Sequence, residues 1–209
     1  MCIKIQRQCG GSPVAWIVGI AIGLAAVVAL AVFLWNGHRQ NRLAAGCLAN
    51  LKRIGECFQM YAEDFGGALP YEEAQLRAGT RVTPWNDALR PYLLEREADS
   101  VLICPATAGL GAEAVESYRF NSQLETENRA DLIWRKLSTI PKPEVTALVF
   151  DGDVGGSNVS TKGNMKDMCF RHREKCNVLF ADFHVQPCVR PDKNWIVFED
   201  EYSAAARPE

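Results

Sequence analysis

Residues Val14 to Trp35 form a run of 22 residues without a charge or a strong polar group. About 20 apolar residues at 1.5 Å rise cross the ~30 Å hydrocarbon layer of a bilayer. Inside that layer every backbone N–H and C=O must find its partner within the segment, so a single span of this kind is a helix. A second helical pattern, now amphipathic, follows almost at once from Arg39 to about Phe65. The chain is thereby constrained to a membrane-spanning helix that continues into a stalk and carries a head.

Removing the first 35 residues leaves 174, enough for one domain with its own core. Lys4 and Arg7 are the only charged residues before Trp35, so all 25 acidic residues lie beyond it. No basic run follows the span, and a nucleic-acid surface has no support. The apolar run exceeds the ~7–15 residues of a signal-peptide core and lacks a small-x-small cleavage site, so it reads as a retained anchor. Ala15, Gly19 and Gly23 are spaced by four and share a helix face. Small residues at that spacing let spanning helices approach closely, although Ala and Gly are also simply common in spans. Lys4 and Arg7 on one side nearly balance Arg39 and Arg42 on the other, so loop charge does not fix the orientation.

Of eight cysteines, Cys2 and Cys9 precede the span and six follow it. An even number in the head fits an oxidising compartment and places the head outside the cytoplasmic membrane. No Cys-x-x-Cys pair exists, which argues against a zinc ribbon or a thioredoxin-like site.

Beyond the span, Asn36-Gly37 is either a helix end or a hinge in one long rod. Leu43, Cys47, Leu51, Ile54, Phe58, Tyr61 and Phe65 then recur at steps of three and four, the stripe of a helix that buries one face. Gly66-Gly67 and Pro70 stop it. Thr83-Pro84 opens a short helix, with Thr as cap and Pro in the first turn, and Pro91 shortens it. Ser117 to Phe120, Val145 to Phe150, Met168 to Arg171, Asn177 to Ala181, His184 to Val189 and Trp195 to Glu199 read as strands. Helices come first and strands later, so the expected class is α+β. A long N-terminal membrane-spanning helix precedes a head with a short helix and an antiparallel β-sheet. The divisions are a leader 1–13, the span 14–35, an amphipathic stalk 36–65, the head 66–202 and a disordered tail 203–209.

Three segments in order resemble one family. Cys47-Leu48-Ala49-Asn50-Leu51-Lys52-Arg53-Ile54-Gly55, running on to Tyr61-Ala62-Glu63-Asp64 and Leu69-Pro70, is similar to the start of the pilin-like proteins of planctomycetes and their relatives. Cys104-Pro105 and Ser117-Tyr118-Arg119-Phe120-Asn121 resemble the middle of those proteins. Arg171-His172 and Asn177 to Val185 resemble their C-terminal signature, a His, nine residues, then Asp-Gly. The resemblance covers most of residues 40 to 190. It implies a type IV pilin or type II secretion pseudopilin architecture, with other pilin-like subunits as possible partners beside the membrane. It also implies a leader cleaved after a glycine, here Gly10 or Gly11, and a Cys47–Cys104 disulfide. The remaining four head cysteines, Cys57, Cys169, Cys176 and Cys188, allow three pairings, among which Cys169 with Cys188 is favoured. Two departures stand out. Cleavage after Gly11 would put Trp16 where the family carries a glutamate, and the Asp-Gly of the signature is Asp182-Phe183.

Two readings compete for the polar residues of the last third. In one, His172, Asp182 and His184, with Asp151 and Asp153, form a metal or acid–base cluster. In the other, Asp182-Phe183 is a hairpin turn between apolar strands, lengthened or distorted because Phe does not favour a type I′ turn. A strand over residues 176 to 182, at ~3.3 Å each, puts Asp182 about 20 Å from the turn near His172. That distance favours the structural reading, with no catalytic residue, no cofactor and no metal. Asp151-Gly152-Asp153 lacks the later ligands of a calcium loop. No phosphate loop, Gly-x-Ser-x-Gly or His-Glu-x-x-His motif occurs. The expected function is a non-catalytic, membrane-anchored, pilin-like subunit of a secretion or pilus-like assembly. A single-span envelope enzyme or metal-binding protein, and a solitary anchored binding module, are the competing classes. No ligand is named by the sequence.

Overall fold

The computed structural model describes residues 13–70, 84–107, 117–124, 136–140, 142–152, 162–163 and 165–189. The leader glycines Gly10 and Gly11, Asp153, the 195–199 strand and the tail lie outside these residues.

Helix α1 runs from Pro13 to Asp64 and is helical through Asn36 and Gly37. Residues 1–39 and 40–209 separate into two compact units. In the first, the apolar side chains face outward: Trp16, Phe33 and Trp35 are 71, 73 and 70 % exposed. This is the one helix among the described residues that is long and apolar enough to cross a membrane. Gly19 and Gly23 have open space where a Cβ would lie.

In the second unit most of the expected stripe becomes core; Phe65, at its end and beyond the last residue of the helix, is instead 55 % exposed. Cys47, Leu51, Ile54, Phe58, Tyr61 and Ala62 of α1 are all buried. Phe58 lies between Trp85 and Phe120, with ring centroids at 5.9 and 6.2 Å. The helix ends as Gly66 and Gly67 take positive φ, and the Gly67 N–H donates to the Ala62 carbonyl at 2.6 Å. This six-to-one bond satisfies a carbonyl that the finished helix leaves open, and glycine adopts the left-handed conformation without a Cβ clash.

Helix α2 spans Trp85–Leu89, with Pro84 at the cap position rather than inside the first turn. A 3-10 turn over Arg90–Tyr92 follows, as Pro91 dictates. Helix α3, Glu95–Val101, occupies the stretch just before the Val101 to Pro105 apolar run.

Strands β1 (Tyr118–Asn121), β2 (Ala147–Asp151), β3 (Lys162–Gly163), β4 (Cys176–Phe180) and β5 (Val185–Cys188) form one sheet in the order β3-β1-β2-β4-β5. Four of them are antiparallel, as expected, so the class is α+β. The two-residue β3 pairs parallel with β1 and is an exception to the antiparallel expectation. Met168 to Arg171 is not a strand. Met168 makes a single bridge to Gly152, and the chain then turns.

The central strands are buried on both faces, with β2 and β4 wholly so. Side chains alternate between faces in a strand. Leu179 and Ala181 therefore pack toward α1, while Cys176, Val178 and Phe180 join a second cluster with Ala147, Phe150, Met168 and Cys188. A register irregularity between Ala147 and Val149 lets both Leu148 and Val149 face the α1 side. Helix and sheet meet closely at Gly55, where an added Cβ would lie 3.0 Å from Leu179 Cδ1.

Candidate functional site

Four side chains from four separate segments converge in the head: Cys47, Cys104, Asp151 and His172. Each has a local reason for its position. Cys47 sits on the buried stripe of α1, one residue after Gly46, where an added Cβ would come within 3.1 Å of Pro105. The close approach at Gly46 brings the helix to the turn that follows α3, and Cys104 is in that turn. Asp151 ends β2. Val149 faces α1, so the alternation of the strand turns the Asp151 side chain to the same face.

His172 begins a tight turn. Its N–H donates to the Lys175 carbonyl at 3.1 Å, and the Lys175 N–H returns to the His172 carbonyl at 3.2 Å. Arg173 and Glu174 between them have φ of 54 and 61°. Two left-handed central residues make this a type I′ turn, whose twist suits the strand that follows. The Cys169 N–H bonds to the Asp151 carbonyl at 2.8 Å, so the segment leading to His172 lies along the end of β2.

The donor atoms all lie within 4.8 Å of one another. Cys47 Sγ is 3.0 Å from Asp151 Oδ2. His172 Nε2 is 3.2 Å from the same Oδ2 and 3.3 Å from Cys104 Sγ. Cys47, Cys104 and Asp151 are fully buried and His172 is 2 % exposed. Around them, the Tyr118 hydroxyl donates to Cys47 Sγ at 3.5 Å and the Asn177 backbone N–H donates to Asp151 Oδ2 at 3.3 Å. Arg171, next to His172, donates to the Gly152 carbonyl.

Proton affinities follow from this geometry. Burial, then the neighbouring Cys104 and Asp151, push the Cys47 thiol far above its usual range. The Cys47 thiol beside it, and then the His172 ring, hold Cys104 down at about 6 despite its own burial. Burial alone would lower the His172 ring, but Asp151 and Cys104 outweigh it and raise it to about 9.

A Cys–His–Asp arrangement invites comparison with a nucleophilic triad, and the geometry argues against one. A triad uses one ring nitrogen for the nucleophile and the other for the carboxylate. Here Cys104 and Asp151 both face Nε2, and the buried Nδ1 has no partner among the described residues. What the arrangement can do is hold a cation at the point on which all four donors converge.

The metal candidates of the sequence divide. His172 belongs to the cluster, together with Asp151. Asp182 and His184 pair with each other in the β4–β5 turn, Asp182 Oδ1 lying 2.5 Å from His184 Nδ1. His184 also stacks on Phe180 at 4.3 Å. The turn is the lengthened hairpin the sequence implied. Phe180 and His184 close a three-residue loop, and Phe183 takes the left-handed position at φ 70°. The expected disulfides are not formed. Cys47, Cys57, Cys104, Cys169, Cys176 and Cys188 are free thiols. Cys188 is opposite Cys176 in the β4–β5 register rather than paired with Cys169. The even cysteine count therefore does not itself fix the compartment. Cys47 and Cys104, which sequence reasoning joined to each other, instead join Asp151 and His172.

No protein-family model matches the chain, and neither a curated protein nor a solved structure matches it.

Proposed function

We propose that this protein is a membrane-anchored, pilin-like subunit of an envelope assembly, of the type II secretion or type IV pilus kind, and that its head is not catalytic. The observation that carries this reading is the double use of α1. Its first part presents exposed apolar side chains over the length of a bilayer. Its later part, from Cys47 to Tyr61, supplies the central rib of an α+β head. An apolar anchor followed by a packed, helix-ribbed head suits a structural subunit held at the membrane. The burial of the convergent polar cluster found among the described residues also favours a structural over a catalytic head.

In this reading the head lies outside the cytoplasmic membrane, and Gly19 and Gly23 offer a face for neighbouring helices. Trp16, where related pilins carry a glutamate, supplies no charge to set register in an apolar bundle, and its indole favours the membrane interface. The subunit accordingly stays in the membrane or caps an assembly rather than building a long fibre.

Mass spectrometry of the mature N-terminus tests the processing. A new terminus directly after Gly10 or Gly11 supports the pilin-like reading, whereas an intact leader leaves an anchored module that never enters such an assembly. Electron microscopy of the purified chain tests the second part. Homopolymeric filaments of this protein alone would overturn it.

A further inference from the structure

We propose that Cys47, Cys104, Asp151 and His172 bind one divalent cation of the zinc class, and that this ion pins helix α1 to the sheet of the head. Four donors from four segments, far apart in sequence, point at one place, which packing of ordinary core residues does not require. Zinc bonded tetrahedrally at ~2.3 Å to sulfur and ~2.0–2.2 Å to nitrogen or oxygen sets its donors about 3.3–3.8 Å apart. The nitrogen contacts of 3.2 and 3.3 Å lie within a few tenths of an ångström of that range, and the Cys47–Asp151 contact of 3.0 Å would open by about half an ångström around the ion. The remaining separations stay under 4.8 Å.

Donor chemistry selects the metal. Two thiolates with an imidazole and one carboxylate suit zinc and its borderline neighbours, whereas calcium and magnesium take oxygen donors. All four positions belong to the protein and none opens to solvent, the pattern of a structural rather than a catalytic zinc. Neighbouring groups already hold the donors. Tyr118 gives its hydroxyl proton to Cys47 Sγ and the Asn177 N–H fixes Asp151 Oδ2, as outer-shell partners of metal ligands do. Among the described residues Asp151 Oδ1 has no hydrogen-bond partner, a buried acceptor that packing alone leaves uncompensated. On binding, the thiol protons and any imidazole proton go to solvent, and no bond other than metal–ligand bonds forms.

The competing use of the two sulfurs is a Cys47–Cys104 disulfide. It would occupy both thiols and leave Asp151 and His172 as a buried ion pair without a metal. The experiment takes the full chain, extracted in detergent with thiols protected, and measures zinc by elemental analysis. It then replaces zinc with cobalt(II) and records the absorption spectrum. About one zinc per chain is expected, with the sulfur-to-cobalt charge-transfer band and the visible bands of a tetrahedral site. His172→Ala and Cys104→Ser should lose the metal, and Asp182→Ala should keep it. Because the first two variants can fail to fold, the cobalt spectrum of the unaltered chain is decisive by itself. The proposal is overturned if the reduced chain binds neither zinc nor cobalt stoichiometrically. It is also overturned if peptide mapping of thiol-trapped protein finds Cys47 and Cys104 joined, or if cobalt binds without thiolate bands.

Discussion

Replacing Phe58 with Ala tests whether the lower part of α1 is the rib of the head or a stalk that merely carries it. Phe58 is fully buried and lies between Trp85 and Phe120. A phenylalanine covers roughly 150–250 Å², which at about 25 cal/mol per Å² corresponds to about 4–6 kcal/mol as an upper bound. Measured Phe→Ala losses of ~3–5 kcal/mol include the cavity left behind. A cost of about 4 kcal/mol is therefore expected. In a domain of this size each kcal/mol shifts Tm by ~2–4 °C, so the midpoint should fall by roughly 8–16 °C. The assay is denaturation of the detergent-solubilised chain followed by tryptophan fluorescence, since Trp85 is one of the two stacking partners. Phe33, on the same helix but 73 % exposed, provides the control. Phe33→Ala should change stability by less than ~0.5 kcal/mol. A loss below ~1 kcal/mol for Phe58→Ala, or equal losses for both variants, would refute the division of α1 into anchor and rib.

Gly55→Val should destabilise the head by about 1–3 kcal/mol, because Leu179 Cδ1 stands 3.0 Å from the place the new Cβ would take. An unchanged denaturation midpoint would show that the helix–sheet contact yields freely. Val27→Arg puts a charge in the apolar run at an insertion cost of ~2.5–3.5 kcal/mol, so the fraction of chain resistant to carbonate extraction should fall. Full retention would argue against a span centred there. For the metal centre, the sign of the pH dependence follows from proton competition. Zinc must displace the protons held by the Cys47 thiol and the His172 ring, both raised above their usual range, so its affinity should drop steadily as pH falls. Titration calorimetry at two pH values in buffers of different ionisation enthalpy measures that release. A pH-independent affinity would mean these two groups are not ligands. Chelation of zinc should lower the Tm of the head, in proportion to the binding free energy removed.

Much of the architecture is legible from periodicity. The stripe from Cys47 to Tyr61 names the buried face of α1 nearly residue by residue, because a helix of this length must bury one face of each turn. Apolar β-prone runs locate β2 and β4 to within two residues. The pairing of β3 with β1 is not legible, since two residues of a Gly- and Ser-rich stretch carry no strand pattern. The turn at Arg173-Glu174 is hidden for a related reason. A type I′ turn announces itself through Asn-Gly or Asp-Gly, and here two charged residues with Cβ atoms take the left-handed conformation. Without that signal the Met168 to Arg171 stretch reads as strand, and His172 is placed at a strand end far from its real neighbours.

That one turn explains why the site itself was only half visible. A straight strand from the turn keeps His172 from Asp182, and the two residues do sit in different turns, before and after β4. Strand geometry alone does not bring His172 to Asp151; that approach depends on the segment before the turn, which lies along the end of β2. Cys47 was hidden differently. On a helix stripe a buried cysteine counts as one more small hydrophobe, and its place there gives no sign of a ligand role. Parity holds the remaining clue: Asp151 follows Val149 by two, so a charged residue continues the core-facing row of a fully buried strand. A carboxylate there is costly unless something compensates it. The compensating groups must come from whatever packs against that face, and the stripe of α1 presents Cys47 to it. An acidic residue in phase with a buried strand, facing a helix stripe that contains a cysteine, is thus a sequence-level reason to look for a cation where composition and spacing alone show only core.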